Sequence, residues 1–218
     1  MKRIPLRLVL AVIFAALSVT LLTWGLVAPQ RVTRQQVILP KQMQLPNGAA
    51  VPETRLLTLH YPATIRLGEA DRLRLNIAVQ PDSILGGNFN TYETYQIFVE
   101  TRLEMSGMNI QPTGTVSEPL RQGQSANFFW SVHPREAGRF EGTVWLYLRF
   151  VPRGGGAEIR QPISAQTIQI EVSTLFGLQA EPARLLSLPG AFISTILGFS
   201  YLMDALRWLL KRKRKEII

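Results

Sequence analysis

The residues able to do chemistry are few and scattered. His60 and His133 lie far apart in the chain, each just ahead of a proline, and no H-x-x-x-H, H-E-x-x-H or Asp-rich calcium loop surrounds them. There is no cysteine, which removes thiol nucleophiles, thiolate metal sites and redox pairs. No serine sits in G-x-S-x-G, and no G-x-x-x-x-G-K-[ST] cradle for phosphate occurs. Gly154, Gly155 and Gly156 are followed by no helical pattern and read as a hairpin loop. Glu100 and Glu104 share the outward face of a strand with Arg102 between them, which makes a charge-balanced solvated face rather than an acid/base pair. The expectation is no catalysis, no cofactor and no metal, with a small-molecule ligand not expected.

What remains is suited to contact. The stretch 86–95, GGNFNTYETY, offers Asn88, Phe89, Asn90, Tyr92 and Tyr95, residue types that make adaptable protein-binding loops. Trp145 and Tyr147 point opposite to Leu146 and Leu148, so either a second layer covers them or they form an exposed partner surface. Gly190, Ser194 and Gly198 recur every fourth residue and put three small residues on one stripe of a helix. That stripe invites close packing against a first helix, which offers Ala11 and Ala15, or against a second copy. Asp204 is read as pairing locally with Arg207 or Lys211.

These residues need elements to position them, and the chain's two ends declare theirs first. Residues 1–7 form a short basic head, and residues 8–28 then run 21 positions without a charge. Residues 185–210 form a second apolar stretch, closed by Lys211, Arg212, Lys213, Arg214 and Lys215 in the tail 211–218. About 20 apolar residues suffice to cross a ~30 Å hydrocarbon layer as a helix. Basic flanks stay on the cytoplasmic side. The first run is longer than a signal-peptide core and lacks a small-x-small cleavage site, so it reads as an uncleaved span. The expected topology is two-pass in the inner membrane, both termini cytoplasmic and the centre extracytoplasmic.

The formal charge of +9 supports that topology and no nucleic-acid role. From Pro29 to Arg184 there are 15 Lys and Arg against 13 Asp and Glu; the excess lies at the ends. Residues 29–54, with Pro40, Pro46 and Pro52, read as a stalk or lead-in. Residues 55–173 alternate with a period of two. Leu73, Leu75 and Ile77 oppose Arg72, Arg74 and Asn76, and Phe128, Trp130 and Val132 share one face. Phe140, Val144, Leu146, Leu148 and Phe150 share another, and Ile168, Ile170 and Val172 close the set. Gly, Pro, Asn and Asp punctuate the segments, as expected for an antiparallel β-sandwich. Residues 174–184 read as an exit linker, in which Glu181-Pro182 begins a helix.

The stretch from Trp130 to Gly138, WSVHPREAG, followed by an aromatic-rich strand, resembles an element of immunoglobulin-like modules in bacterial envelope proteins. The layout of helix, sandwich, helix and basic tail resembles uncharacterised two-span bacterial membrane proteins. The resemblance implies an immunoglobulin-like all-β ectodomain flanked by two transmembrane helices. It also implies a binding, scaffolding or sensing role. The leading expectation is a non-catalytic accessory or protein-binding subunit of a membrane complex, its partners the lipid bilayer and a membrane protein or a second copy. The alternative is an ectodomain sensor signalling through a partner membrane protein.

Overall fold

A computed structural model describes residues 6–27, 30–46, 48–84, 91–175, 177–183, 185–187, 189–193 and 195–196, without the side chains of 6–8, 11, 25 and 81–84. Two compact units divide the chain: Met1–Ala28 with Thr174–Ile218, and Pro29–Ser173.

The larger unit holds ten strands among the described residues: β1 (Arg31–Ile38), β2 (Glu53–Pro62), β3 (Thr64–Arg66), β4 (Asp71–Ile84), β5 (Tyr95–Met105), β6 (Met108–Gln111), β7 (Thr115–Leu120), β8 (Ala126–Pro134), β9 (Gly138–Pro152) and β10 (Ile159–Ser173). They form two five-stranded sheets, ordered β1-β2-β4-β8-β6 and β3-β10-β9-β5-β7. Every pairing is antiparallel except β3 with β10. The inward residues of both sheets form one core. Trp130, Phe128, Phe150, Leu59, Leu73 and Leu75 are almost wholly buried in it. This is the alternation read from the sequence turned into an antiparallel sandwich, each strand apolar on its inner face.

The sandwich begins earlier than residue 55. Residues 31–38 pair with β2 along their whole length, Arg31 opposite Pro62 and Ile38 opposite Arg55. Ile38, Met43, Leu45 and Val51 are buried in the core. The expected stalk over 29–54 is therefore an edge strand, a 3-10 turn at Pro40–Met43 and a core-filling segment. Its prolines shape turns that deliver apolar side chains inward. Polar side chains tie this strand to the opposite sheet. Arg34 donates to the Thr167 carbonyl at 2.5 Å, and Gln36 Oε1 accepts from Ser164 Oγ and Gln166 Nε2 at 2.7 and 3.0 Å.

The chain comes in and leaves at one pole of the sandwich. Ala63, between β2 and β3, donates to the Gln30 carbonyl at 2.7 Å and accepts from the Glu171 amide at 2.9 Å. Arg31 bonds Asp71 at 2.8 Å at this same pole. From there β2 runs ten residues, roughly 30 Å at ~3.3 Å per residue, to Glu53 at the distal pole. Ile84, Tyr95, Leu120 and Pro152 end or begin their strands there.

In the smaller unit, α1 (Leu6–Leu26) has 21 residues. Helical backbone also covers 180–183, 185–187, 189–193 and 195–196. The expected linker 174–184 thus already contains a helical turn at Pro182, with Ala180 and Ala183 fully buried. Among the described residues, no helix is long and apolar enough to cross a membrane. The spans expected at 8–28 and 185–210 therefore do not follow from the described helices alone.

Candidate functional site at the distal pole

The distal pole is organised by two charges that the core holds inside. Glu53 and Arg55 share the inward phase of Leu57, Leu59 and Tyr61, so the strand that buries those side chains buries the charges as well. Both charged side chains are 1% exposed, and they form an ion pair. Arg55 also donates to Tyr92 Oη at 2.9 Å, to the Arg121 carbonyl at 3.2 Å and to the Gln124 carbonyl. Glu53 Oε1 accepts the Gly123 amide at 2.7 Å, and Tyr92 Oη donates to Oε2 at 3.3 Å. Two charges taken from water cost several kcal/mol each, and a pair is tolerated only with further hydrogen bonds of this kind. Burial pushes the Tyr92 phenol up to about 12, with Arg55 lowering it and Glu53 raising it. The phenol therefore stays protonated and remains a donor at ordinary pH.

This network fixes three segments: the start of β2, the turn 91–94 and the β7–β8 connection 121–124. Thr91 Oγ1 donates to the Ala50 carbonyl, tying the turn to the segment before β2. Arg153, just past β9, donates from its amide to the Thr94 carbonyl at 3.0 Å and from Nε to the Tyr92 carbonyl at 3.3 Å. Between these segments lies a cleft of about 420 Å³, lined by Tyr92, Gln96, Phe98, Pro119, Arg121 and Arg153 among others. A wider cleft of about 590 Å³ lies between Lys41–Gly48 and the start of β10.

The expected partner loop belongs to this pole, with its parts distributed differently. Asn88, Phe89 and Asn90 lie outside the described residues. Tyr95 opens β5 and is buried, its ring edge-on to Phe150 at 6.0 Å. Tyr92 spends its hydroxyl on the buried pair. Neither tyrosine is a free contact residue, because the core and the ion pair claim them. Sequence reasoning missed Glu53 and Arg55, although extending the Leu57, Leu59, Tyr61 alternation backwards would have placed both inside.

Trp145 and Tyr147 are each half-buried on the outer face of their sheet. Their rings stack at 6.4 Å, Trp145 Nε1 donates to Glu104 at 2.9 Å, and the Arg160 guanidinium lies 4.0 Å from the Tyr147 ring centre. Arg160 and Arg149 both hold Glu100, at 2.8 and 2.7 Å, and Arg149 also bonds Glu158 at 2.9 Å. Hydrogen bonds to these carboxylates raise the Arg149 pKa further above its ordinary value, Glu158 contributing most. The cover over the aromatics is thus their own sheet's charged side chains, not a second layer, and no open apolar patch results. Glu100 and Glu104 are spoken for as ion-pair partners, Glu104 by Arg102 at 2.8 Å. His60 bonds Thr33 at 2.8 Å, and His133 lies on a different strand. Among the described residues no three His, Cys, Asp or Glu come together to hold a metal.

In the helical unit, a Cβ placed on Gly190 would meet Ser18 Oγ at 2.4 Å. Gly190 therefore lies against the first helix, at Ser18. Ser194 and Gly198, the rest of the stripe, lie outside the described residues, as do Asp204 and Lys211, Arg212, Lys213, Arg214 and Lys215.

Fold and site together define a mostly antiparallel β-sandwich domain, with helical segments before and after it and a buried ion pair at one pole. No family model matches the chain, and no curated protein matches it. Solved structures give distant likenesses. One is a chain of the complex between Zinc 2-glycoprotein and Prolactin inducible protein from human seminal plasma: 11% identity, 55% of this chain and 93% of that one, TM-score 0.37. Another is AggA, the major subunit of aggregative adherence fimbriae type I from Escherichia coli: 11% identity, 67% and 98% covered, TM-score 0.29. A third is the CooA pilin subunit of enterotoxigenic Escherichia coli: 10% identity, 64% and 99% covered, TM-score 0.24. Likeness at this level carries no argument about function.

Proposed function

We propose that the protein is a non-catalytic, membrane-anchored accessory subunit whose β domain engages a protein partner. In this reading both termini are cytoplasmic and the sandwich is extracytoplasmic. The observation that carries the reading is the apolar surface of α1. Val9, Leu10, Val12, Ile13, Leu17, Val19, Leu22 and Leu26 are exposed over most of the helix circumference, while Ser18 and Leu21 are buried. Such a helix suits a hydrocarbon surround and not water. The described side chains of α1 begin at Val9, whereas the uncharged sequence runs from Leu8 to Ala28, long enough to span. Leu185, Leu186, Phe192, Ile193 and Ile196 give the second helical stretch the same character.

The strand orders support an immunoglobulin-like description. The series β2-β4-β8-β6 corresponds to strands A-B-E-D of that fold, and β5-β9-β10 to C-F-G. With β1 added beside the first strand, the domain is a variant of it. Reporter fusions at both termini should read as cytoplasmic, and one near Gly155 as extracytoplasmic. Purification in mild detergent should retain a membrane protein partner. A mature chain starting near Pro29 would overturn the two-pass topology, and a chain that purifies alone under every mild condition would overturn the accessory role.

A further inference from the structure

We propose that the distal cleft between Arg121 and Arg153 receives an acidic segment of the protein partner, a carboxylate side chain bonding the two guanidinium groups while the adjoining residues lie along Phe98 and Pro119. The proposal rests on the accessory-subunit reading and names the chemistry of its partner. Arg121, Gln122 and Arg153 are exposed around a cleft of about 420 Å³ whose described lining includes no acidic residue. Glu53, the buried acid beneath, has its charge matched by Arg55 and its oxygens occupied by Gly123 and Tyr92. Among the described residues the cleft thus keeps two positive charges with no carboxylate in its lining. Arg121 has no ionic partner among the described residues, and Arg153 contacts only carbonyl oxygen with Nε. An arginine fork matches a carboxylate, and charge-assisted bonds of this type are the stronger ones.

The buried pair beneath supplies the second half of the argument. Replacing such a pair by apolar residues is often neutral or stabilising, so stability alone does not explain it. What it does is hold the Arg121 and Gln124 carbonyls, the Gly123 amide and the Tyr92 hydroxyl in one arrangement. The turn 91–94 and the connection 121–124 are thereby held before a ligand arrives, which lowers the entropic cost of binding. The described cleft at the pole farthest from both chain connections is therefore braced from beneath and carries two arginines at its rim.

The test uses the full chain in mild detergent at about 0.15 M salt, where contacts beyond ~8 Å are screened. The probe is fluorescein-labelled Ala-Glu-Gly-Glu-Ala, followed by anisotropy. Saturable binding is expected, weakened roughly tenfold by Arg121→Gln with Arg153→Gln. Arg135→Gln with Arg139→Gln removes the same charge at the opposite pole and should leave affinity unchanged. A probe with Gln in place of both Glu should not bind. Equal weakening by the two double variants, or no saturable binding, overturns the proposal. So does free glutamate binding as tightly as the peptide, which would mark a small-anion site. Co-purification of a partner that survives Arg121→Gln with Arg153→Gln removes the cleft and leaves the accessory-subunit reading standing; loss of any partner from the unaltered chain strikes that reading instead.

Discussion

Arg55 is the residue on which the distal pole turns. Arg55→Met leaves Glu53 buried and unpaired, and should cost about 3–5 kcal/mol in a denaturant titration. Changing both, with Glu53→Leu, should cost less than Arg55→Met alone, because no lone charge then remains inside. The double variant should nonetheless speed amide exchange at residues 121–124, where the Arg121 and Gln124 carbonyls and the Gly123 amide lose their partners, and at 91–94, where the Tyr92 hydroxyl does. Tyr92 adds a pH signature. Its phenol is raised from 10 to about 12 in the fold, chiefly by burial. The unfolded chain therefore loses this proton first, and stability falls as pH climbs from about 10 to about 12, by at most ~3 kcal/mol. Tyr92→Phe should lack that fall, so the two stability curves should converge or cross between pH 10 and 12; identical slopes would place the phenol in water. In the core, Trp130→Ala should cost about 3–5 kcal/mol, since the indole is 1% exposed. Trp145→Ala, half-buried and held by Glu104 and Tyr147, should cost about 1–2 kcal/mol. Equal losses would reverse the assigned faces of β8 and β9.

At the scale of elements, the strands with a buried face were legible because a period of two is hard to mistake. β4, β5, β8, β9 and β10 all keep the phases read from their sequences. β1 was not legible. RVTRQQVI alternates poorly because an edge strand buries little, and only Ile38 in it is buried. β7, TVSEPL, was missed for a related reason: Pro119 argues against a strand, yet an edge strand tolerates proline where no ladder bond needs its amide. The distal cleft was invisible because Arg121, Arg153 and the buried pair beneath them come from three segments distant in sequence. Only the loop 86–95 was singled out, and its two described tyrosines are engaged by the core and the ion pair, Tyr95 against Phe150 and Tyr92 with Glu53 and Arg55. The helix contact was half legible: Gly190 and the first helix were named, Ser18 was not. Gly190→Ala would drive a methyl into Ser18 Oγ, which already bonds the Phe14 carbonyl at 2.7 Å. It should destabilise the helical unit, and Ser18→Ala should restore it, with a coupling of about 0.5–1 kcal/mol in thermal melts of the full chain. Additive losses would mean the two residues do not touch.

For the whole molecule, one arrangement matters most: the chain reaches and leaves the sandwich at Gln30 and Ser173, joined through the single residue Ala63. Tension drawn between those two points would load the Gln30–Ala63 and Ala63–Glu171 bonds one after another, as a zip opens, instead of shearing a full ladder at once. The domain should therefore yield at low force in single-molecule pulling through residues 30 and 173, β1 or β3 peeling first. A high, sharp rupture force would mean that the load is shared along the strands. The load path between the two attachment points ends some 30 Å short of Glu53 and Arg55 by the ~3.3 Å rise per strand residue. A pull at residues 30 and 173 strains the hem of the domain and leaves its far end undisturbed, so that end feels no strain until the first strands have peeled away.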